Sequence, residues 1–141
     1  MTPPSERPVV HVLTDDQLAF VTARHLATLT TVRADGSPHV VPVAFTWDVD
    51  GGRARITTRV SSVKARNVLR PGPDGGPALA ALCQVDGQRW LTLEGRITVS
   101  HDPQDVADAV AAYAGRYREL SYQAERVVLH LVVARVMGTV R

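Results

Sequence analysis

The chain has 141 residues, of which 45% are hydrophobic and 21% charged, a globular mix for about one domain that excludes a disordered chain. A folded monomer of this size buries roughly 70% of the surface its extended chain exposes, enough for a core of its own. The formal net charge of +2 is too weak for a nucleic-acid binder, which needs a basic stripe.

The elements follow in chain order. Residues 1–12 are Pro-rich and expected to be a flexible tail; residues 13–141 are expected to form one domain. Thr14-Asp15-Asp16-Gln17 reads as a capping box opening a helix over roughly 14–24. Leu26–Arg33, rich in Thr, Leu and Val, predicts a strand, and Ala34-Asp35-Gly36-Ser37-Pro38 a turn. His39–Trp47 completes a hairpin. Pro42 has no N–H to give a ladder, so it marks an edge, a bulge or a point where something other than a strand approaches. After the turn at 48–52, Arg53–Arg59 alternates: Ala54, Ile56 and Thr58 on one face, Arg53, Arg55, Thr57 and Arg59 on the other.

Ser61–Arg70 predicts a short helix and PGPDGGP (71–77) a flexible insertion. Ala78–Val85 is an apolar strand, Asp86-Gly87 a tight turn, and Trp90–Ser100 an alternating strand. Asp102 with Pro103 opens a further helix, striped by Val106, Ala109, Val110, Tyr113 and Tyr117. Arg126–Met137 is the last strand. Six strands joined mostly by tight turns, with three helices, predict a mainly β fold. Its antiparallel sheet is expected to close on itself as a small barrel and so remove its edges.

Familiar catalytic signatures are absent: there is no G-x-S-x-G, Walker loop, G-x-G-x-x-G or H-E-x-x-H. The histidines at 11, 25, 39, 101 and 130 lack metal-ligand spacing, so no metal is expected, and His25 and His130 read as structural. The lone cysteine, Cys83, excludes an intrachain disulfide framework and reads as a small core residue. No apolar run is long enough to span a membrane. The N-terminal MTPPSERP lacks the regions of a secretory signal, so the expected compartment is the cytoplasm.

The basic residues are lopsided: fifteen Arg and a single Lys, Lys64. Codon bias explains such an excess, and so does an anion site built from guanidinium forks. Thr57–Asn67 is where such a site would lie. A strand there ends in hydroxyls and Arg, and a helix opens at Ser61 and Ser62 with Lys64 in its first turn. A cation at that position opposes the helix dipole unless an anion sits nearby. Arg55, Arg59, Lys64 and Arg66 would converge on it; the plain alternative is a capped helix with solvated side chains. In the second informative stretch, Cys83–Leu91, a tight turn presents Gln84, Arg89 and Trp90. An aromatic beside an Arg packs on a planar ligand or simply fills the core of a hairpin.

These stretches carry a resemblance. Arg24-His25-Leu26-Ala27, Leu29-Thr30-Thr31, Arg33-Ala34-Asp35, Ser37–Val41 and Asn67 match in order and spacing. So do Cys83–Gly87 with Arg89-Trp90-Leu91, Leu93–Arg96, Tyr113-Ala114, Arg116-Tyr117-Arg118 and Arg126-Val127-Val128. Across roughly residues 13–138 the chain resembles split-barrel oxidoreductases of the pyridoxamine-phosphate-oxidase-like superfamily. Within them it is most similar to the branch that uses the deazaflavin coenzyme F420, and there to the F420-dependent biliverdin reductases.

The resemblance implies a six-stranded split barrel and a homodimer with cofactor sites at the subunit interface. His39, Val40, Val41, Pro42 and Val43 would line the deazaflavin. Thr58, Arg59, Val60, Ser61, Ser62 and Lys64 would hold its phosphate and ribityl end, with Arg55 among the cations and Asn67 nearby. Gln84, Gly87, Gln88, Arg89, Trp90 and Leu91 would close the site, some of them from the partner subunit. No catalytic residue is assigned.

The implied activity is transfer of a hydride from F420H2 to a conjugated small-molecule acceptor, a biliverdin-like tetrapyrrole being the best guess. The alternatives are an FMN-dependent oxidase or reductase on the same fold, or a binder of F420 or haem without turnover. The Ser-x-Lys feature also occurs in FMN-binding relatives. Two departures bear on the substrate: the 71–77 loop is longer than its counterpart, and Thr57–Val60 stands where those reductases are glycine-rich.

Overall fold

The computed structural model describes residues 13–23 and 25–141; the expected tail over 1–12 lies outside them. Helix α1 (Asp15–Thr22) starts as predicted. Thr14 accepts from the Gln17 N–H and Gln17 answers with its own side chain, satisfying two donors that a helix start leaves free.

Among the described residues the strands number seven rather than six: β1 (Ala27–Val32), β2 (Pro38–Val43), β3 (Thr46–Asp48), β4 (Arg53–Arg59), β5 (Ala78–Asp86), β6 (Arg89–Ser100) and β7 (Arg126–Thr139). The extra strand comes from the expected His39–Trp47, which breaks at Ala44-Phe45. The reason is long-range. The Phe45 carbonyl accepts from Arg116 Nη1 at 2.5 Å and from the Tyr117 hydroxyl at 3.0 Å, so it has no ladder to join.

All pairings are antiparallel, in the order β2-β1-β5-β6-β7-β4-β3. The sheet is therefore not closed by hydrogen bonds, which corrects the expected barrel. β2 and β3 are its two free edges, yet only Ala44 and Phe45 separate them in sequence. Three Cα steps reach at most about 11 Å, so the sheet curls until its edges nearly meet. Pro42 sits on one of those edges, where a missing N–H costs no ladder bond.

The concave side holds the core: Leu29, Phe45, Ile56, Leu82, Leu93, Ile97, Leu129 and Leu131 are almost wholly buried. A bulge falls between Glu94 and Gly95. A Cβ on Gly95 would meet the Val132 carbonyl at 1.9 Å, so only glycine lets β7 approach there. The β5–β6 turn is Gly87-Gln88, with Gly87 at φ 63°, the glycine-first two-residue turn suited to a twisted hairpin.

Helix α2 (Val63–Leu69) is capped by Ser62 and packs on β1, β5 and β6. Helix α3 (Pro103–Arg116) is capped by Asp102 with Pro103 in its first turn. At the end of α3 the half-buried Arg116 staples three segments. It donates to the carbonyls of Phe45 and Ala23, and its guanidinium lies 4.7 Å from the Phe45 ring centroid. None of the helices among the described residues is long and apolar enough to cross a membrane.

Candidate functional site

β4 ends at Arg59, and the chain turns into α2 through a short relay. The Ser62 N–H donates to the Arg59 carbonyl, Thr58 Oγ1 donates to Ser62 Oγ at 3.0 Å, and Ser62 Oγ accepts from the Ala65 N–H at 3.1 Å. The Val60 N–H donates to the Glu125 carbonyl, tying this turn to the connection before β7. That connection is held in turn by Arg126, whose Nη1 donates to the Ser121 carbonyl at 3.0 Å.

Between these segments, the end of β2 and α3 lies an open cleft of about 460 Å³. Pro42, Val43, Ala44, Ile56 and Leu120 give it apolar surface; Thr57, Thr58, Ser121, Gln123 and Tyr113 give it polar groups. Four cations line it, Arg59, Lys64, Arg118 and Arg126, and no carboxylate does. None of the four forms an ion pair among the described residues. Arg59 and Arg126 are direct cross-strand partners, an arrangement of like charges that is unfavourable by itself. Burial of the Lys64 stem pulls its ammonium below the usual lysine value. An anion in the cleft relieves both strains.

The structure thus brings together Pro42, Val43, Thr58, Arg59 and Lys64, with Val60, Ser61 and Ser62 in the adjoining turn. Tyr113, Arg118, Ser121, Gln123 and Arg126 join them without having been singled out as site residues. Arg116-Tyr117-Arg118 and Arg126 stood among the matching segments, and a cation opposite Arg59 was the available signal. His39, Val40 and Val41 lie upstream on β2, outside the cleft lining.

Other expected residues are placed elsewhere. Arg55 points to Asp48, Nη2 to Oδ2 at 3.3 Å, beside the Arg53–Asp48 pair at 2.9 Å. Arg66 lines a separate depression with Arg33 and Arg70. Asn67 is buried; its Nδ2 donates to Thr31 Oγ1 and its Oδ1 accepts from Arg70 Nη1, so it anchors α2 to β1. Gln84 is also buried, and its Nε2 donates to the Phe20 carbonyl at 2.7 Å. Leu91 is core. Gly87, Gln88, Arg89 and Trp90 are exposed at the β5–β6 turn and do not line the cleft of their own chain. Arg89 pairs with Asp86 and covers the Phe20 ring at 5.2 Å.

The fold is a single curled antiparallel sheet of seven strands with three helices, and a cationic cleft opens between the end of β2, β4 and the α3–β7 connection. Residues 13–139 match the pyridoxamine 5'-phosphate oxidase family, and the chain belongs to it. It is 50% identical over 127 residues to an F420H(2)-dependent biliverdin reductase of Mycobacterium tuberculosis (strain CDC 1551 / Oshkosh), covering 90% of this chain and 88% of that one. The likeness read from the sequence is therefore found.

Two solved structures show the fold. A conserved hypothetical protein, Rv2991, of Mycobacterium tuberculosis superposes with a TM-score of 0.76 at 20% identity, over 94% of this chain and 88% of that one. A protein described as an F420 reductase superposes with a TM-score of 0.69 at 23% identity, over 89% and 98%.

Proposed function

We propose that this chain is an F420H2-dependent reductase acting in the cytoplasm on a conjugated small-molecule acceptor, with a biliverdin-like tetrapyrrole as substrate. One structural observation carries the reading: four cations and no carboxylate face one cleft that also has an apolar wall. The donor set fits a planar ring carrying a phosphate and a carboxylate tail, as F420 does. The 50% identity to an F420H(2)-dependent biliverdin reductase supports the same choice.

When bound, the deazaflavin supplies the hydride. The chain's own residues bind and orient. Lys64, Arg59, Arg118 and Arg126 neutralise the anionic groups, and Thr58 and Ser62 stand at the turn beside them. Pro42 and Val43 offer the ring a strand edge whose backbone is not occupied by another strand. The cleft lining has no carboxylic acid or imidazole; its proton-bearing groups besides the guanidinium groups, the aliphatic hydroxyls and the Gln123 amide are the Lys64 ammonium and the Tyr113 hydroxyl.

The expected homodimer gains support from the convex face of β2, β5, β6 and β7. Val40, Val85, Trp90 and Met137 are exposed there, at 56%, 55%, 37% and 44%, a set of large apolar groups that a second copy would cover. Such pairing would let Gly87, Gln88, Arg89 and Trp90 reach the partner's cleft. Val85→Asp is expected to give a monomer by light scattering; a dimer of unchanged affinity contradicts this interface.

The activity test mixes F420H2 with biliverdin and follows the return of oxidised deazaflavin absorbance. Biliverdin-dependent oxidation is expected. No oxidation with biliverdin overturns the substrate. Purification of the protein as a yellow FMN complex that does not bind F420 overturns the cofactor.

A further inference from the structure

We infer that α2 flanks a second ligand site, a groove that takes an apolar carboxylate, separate from the cationic cleft. The arginine end is a depression of about 420 Å³ beside Arg33, Arg66 and Arg70. It shares no lining residue with the cleft that contains Lys64. Its single carboxylate, Asp35, is turned into its own loop. Asp35 accepts from the Ser37 N–H at 3.0 Å and from Ser37 Oγ at 2.6 Å, and it pairs with none of the three arginines.

Two of these guanidinium groups are held in place rather than loose. Arg70 Nη1 donates to the buried Asn67 Oδ1 at 2.8 Å, and Asn67 is itself fixed by Thr31 at 3.0 Å. Arg33 Nη1 donates to the Pro38 carbonyl at 2.6 Å. Arg66 stands in the last turn of α2 and Arg70 at its C-cap, so both guanidinium groups lie at the same end of the helix. The result is a preorganised fork whose one lining carboxylate, Asp35, makes its hydrogen bonds within its own loop and forms no ion pair with the three arginines; guanidinium groups so placed bind carboxylates in bidentate fashion.

The groove continues as a further depression of about 260 Å³ that shares Arg33, Asn67 and Arg70 with the first. Here the wall is apolar: Pro71, Pro73 and Ala78. Two of these belong to the 71–77 loop, which the cofactor reading leaves without a role. The loop is folded, not loose. Arg96 clasps it through Asp74 at 2.7 and 3.0 Å and through the Pro77 carbonyl at 2.8 Å, and the Gly72 N–H donates to the Gly76 carbonyl at 2.7 Å. A charged head against the arginines therefore places an apolar body against the prolines. The ligand class is a carboxylate with a short aliphatic or aromatic body.

Octanoate is the probe, titrated into the full-length protein and followed by amide chemical shifts. Saturable shifts are expected in α2 and residues 71–79, with much weaker binding of octanol. Arg66→Gln is expected to weaken octanoate several-fold, and Arg66→Gln/Arg70→Gln by about tenfold or more, the loss of a charge-assisted contact. Arg66 makes no side-chain hydrogen bond among the described residues, so the single variant keeps the fold even if the double variant does not. Lys64→Ala is expected to leave octanoate binding unchanged. Absence of saturation, affinity indifferent to Arg66→Gln, or an equal loss in Lys64→Ala each overturns the second site; the last would place octanoate in the cationic cleft.

Discussion

Strand β4 carries three arginines, and its two ends treat them differently. At one end Arg53 and Arg55 both reach the Asp48 carboxylate, with Asp105 and His130 close by. At the other end Arg59 faces Arg126 across the ladder, near Lys64 and Arg118, with no carboxylate lining the space. Residue type is the same; only the partner differs. Where a carboxylate is built in, the charges hold the fold. Where it is left out, the charge is available for an anionic ligand. A static count of arginines in β4 does not separate the two roles, whereas the position of Asp48 does.

The sharpest way to break the comparison is at the paired end. Asp48→Ala removes the ion-pair partner of two partly buried guanidinium groups and leaves only the more distant Asp105 carboxylate near them, an expected loss of about 2–3 kcal/mol of stability in denaturant melts, with F420 affinity per folded molecule unchanged. The complementary change is at the unpaired end. Lys64→Ala is expected to weaken F420 about ten- to a hundredfold, the value of one charge-assisted contact, without lowering the melting temperature. If Lys64→Ala destabilised the fold as much as Asp48→Ala, the division into structural and ligand-directed charge would be wrong.

Salt gives a milder separation. F420 affinity is expected to fall severalfold as ionic strength rises and the screening length drops below about 10 Å. The partly buried Asp48 pairs are screened less, so the melting temperature should move little over the same range.

The smallest expected effect is one of pH. Burial, then the charge of Arg53, holds the His130 imidazole below its usual value. The folded state thus binds fewer protons than the unfolded one. The stability this gives is present at neutral pH and lost as pH falls through about 6.5 and below. For Asp48, burial raises the carboxyl pKa, but the Gly51 N–H and Arg53 outweigh it and keep it below the usual carboxylate value. Its stabilisation is lost only at still lower pH. Melts between pH 7 and 5 should therefore show a shallow decline that His130→Asn removes; a decline unchanged in that variant would assign it to other groups.

Much of this was legible in the chain. Alternation in β4 and β6, the capping residues Thr14 and Asp102, and Pro42 as a residue unable to donate to a central ladder are local signals, and the strands and helices follow them. The break at Phe45 was not, because its cause lies with Arg116 and Tyr117, 71 and 72 residues away. Nor was the open sheet, since closure depends on whether β2 and β3 find ladder partners.

At the site, Thr58, Arg59 and Lys64 were readable from a strand end meeting a helix start. Arg118 was hidden by the irregular connection between α3 and β7, which has no periodicity to read, and Arg126 opens the predicted last strand but meets Arg59 only through the β4–β7 register. Asn67 was expected near a ligand from the resemblance, Gln84 from the resemblance and its place beside a tight turn, and Arg55 from the cluster of basic residues read as converging on an anion. In the fold Gln84 and Asn67 serve as buried ties from α1 to β5 and from α2 to β1, and Arg55 belongs to Asp48.

The central claim, that the unpaired cations of the cleft hold a deazaflavin, is tested most directly by fluorescence titration of F420 with the native protein and with Lys64→Ala. Saturable binding at micromolar native protein is expected, with a curve displaced at least about tenfold by the substitution. No saturable binding by the native protein, or identical curves for the two, would contradict it.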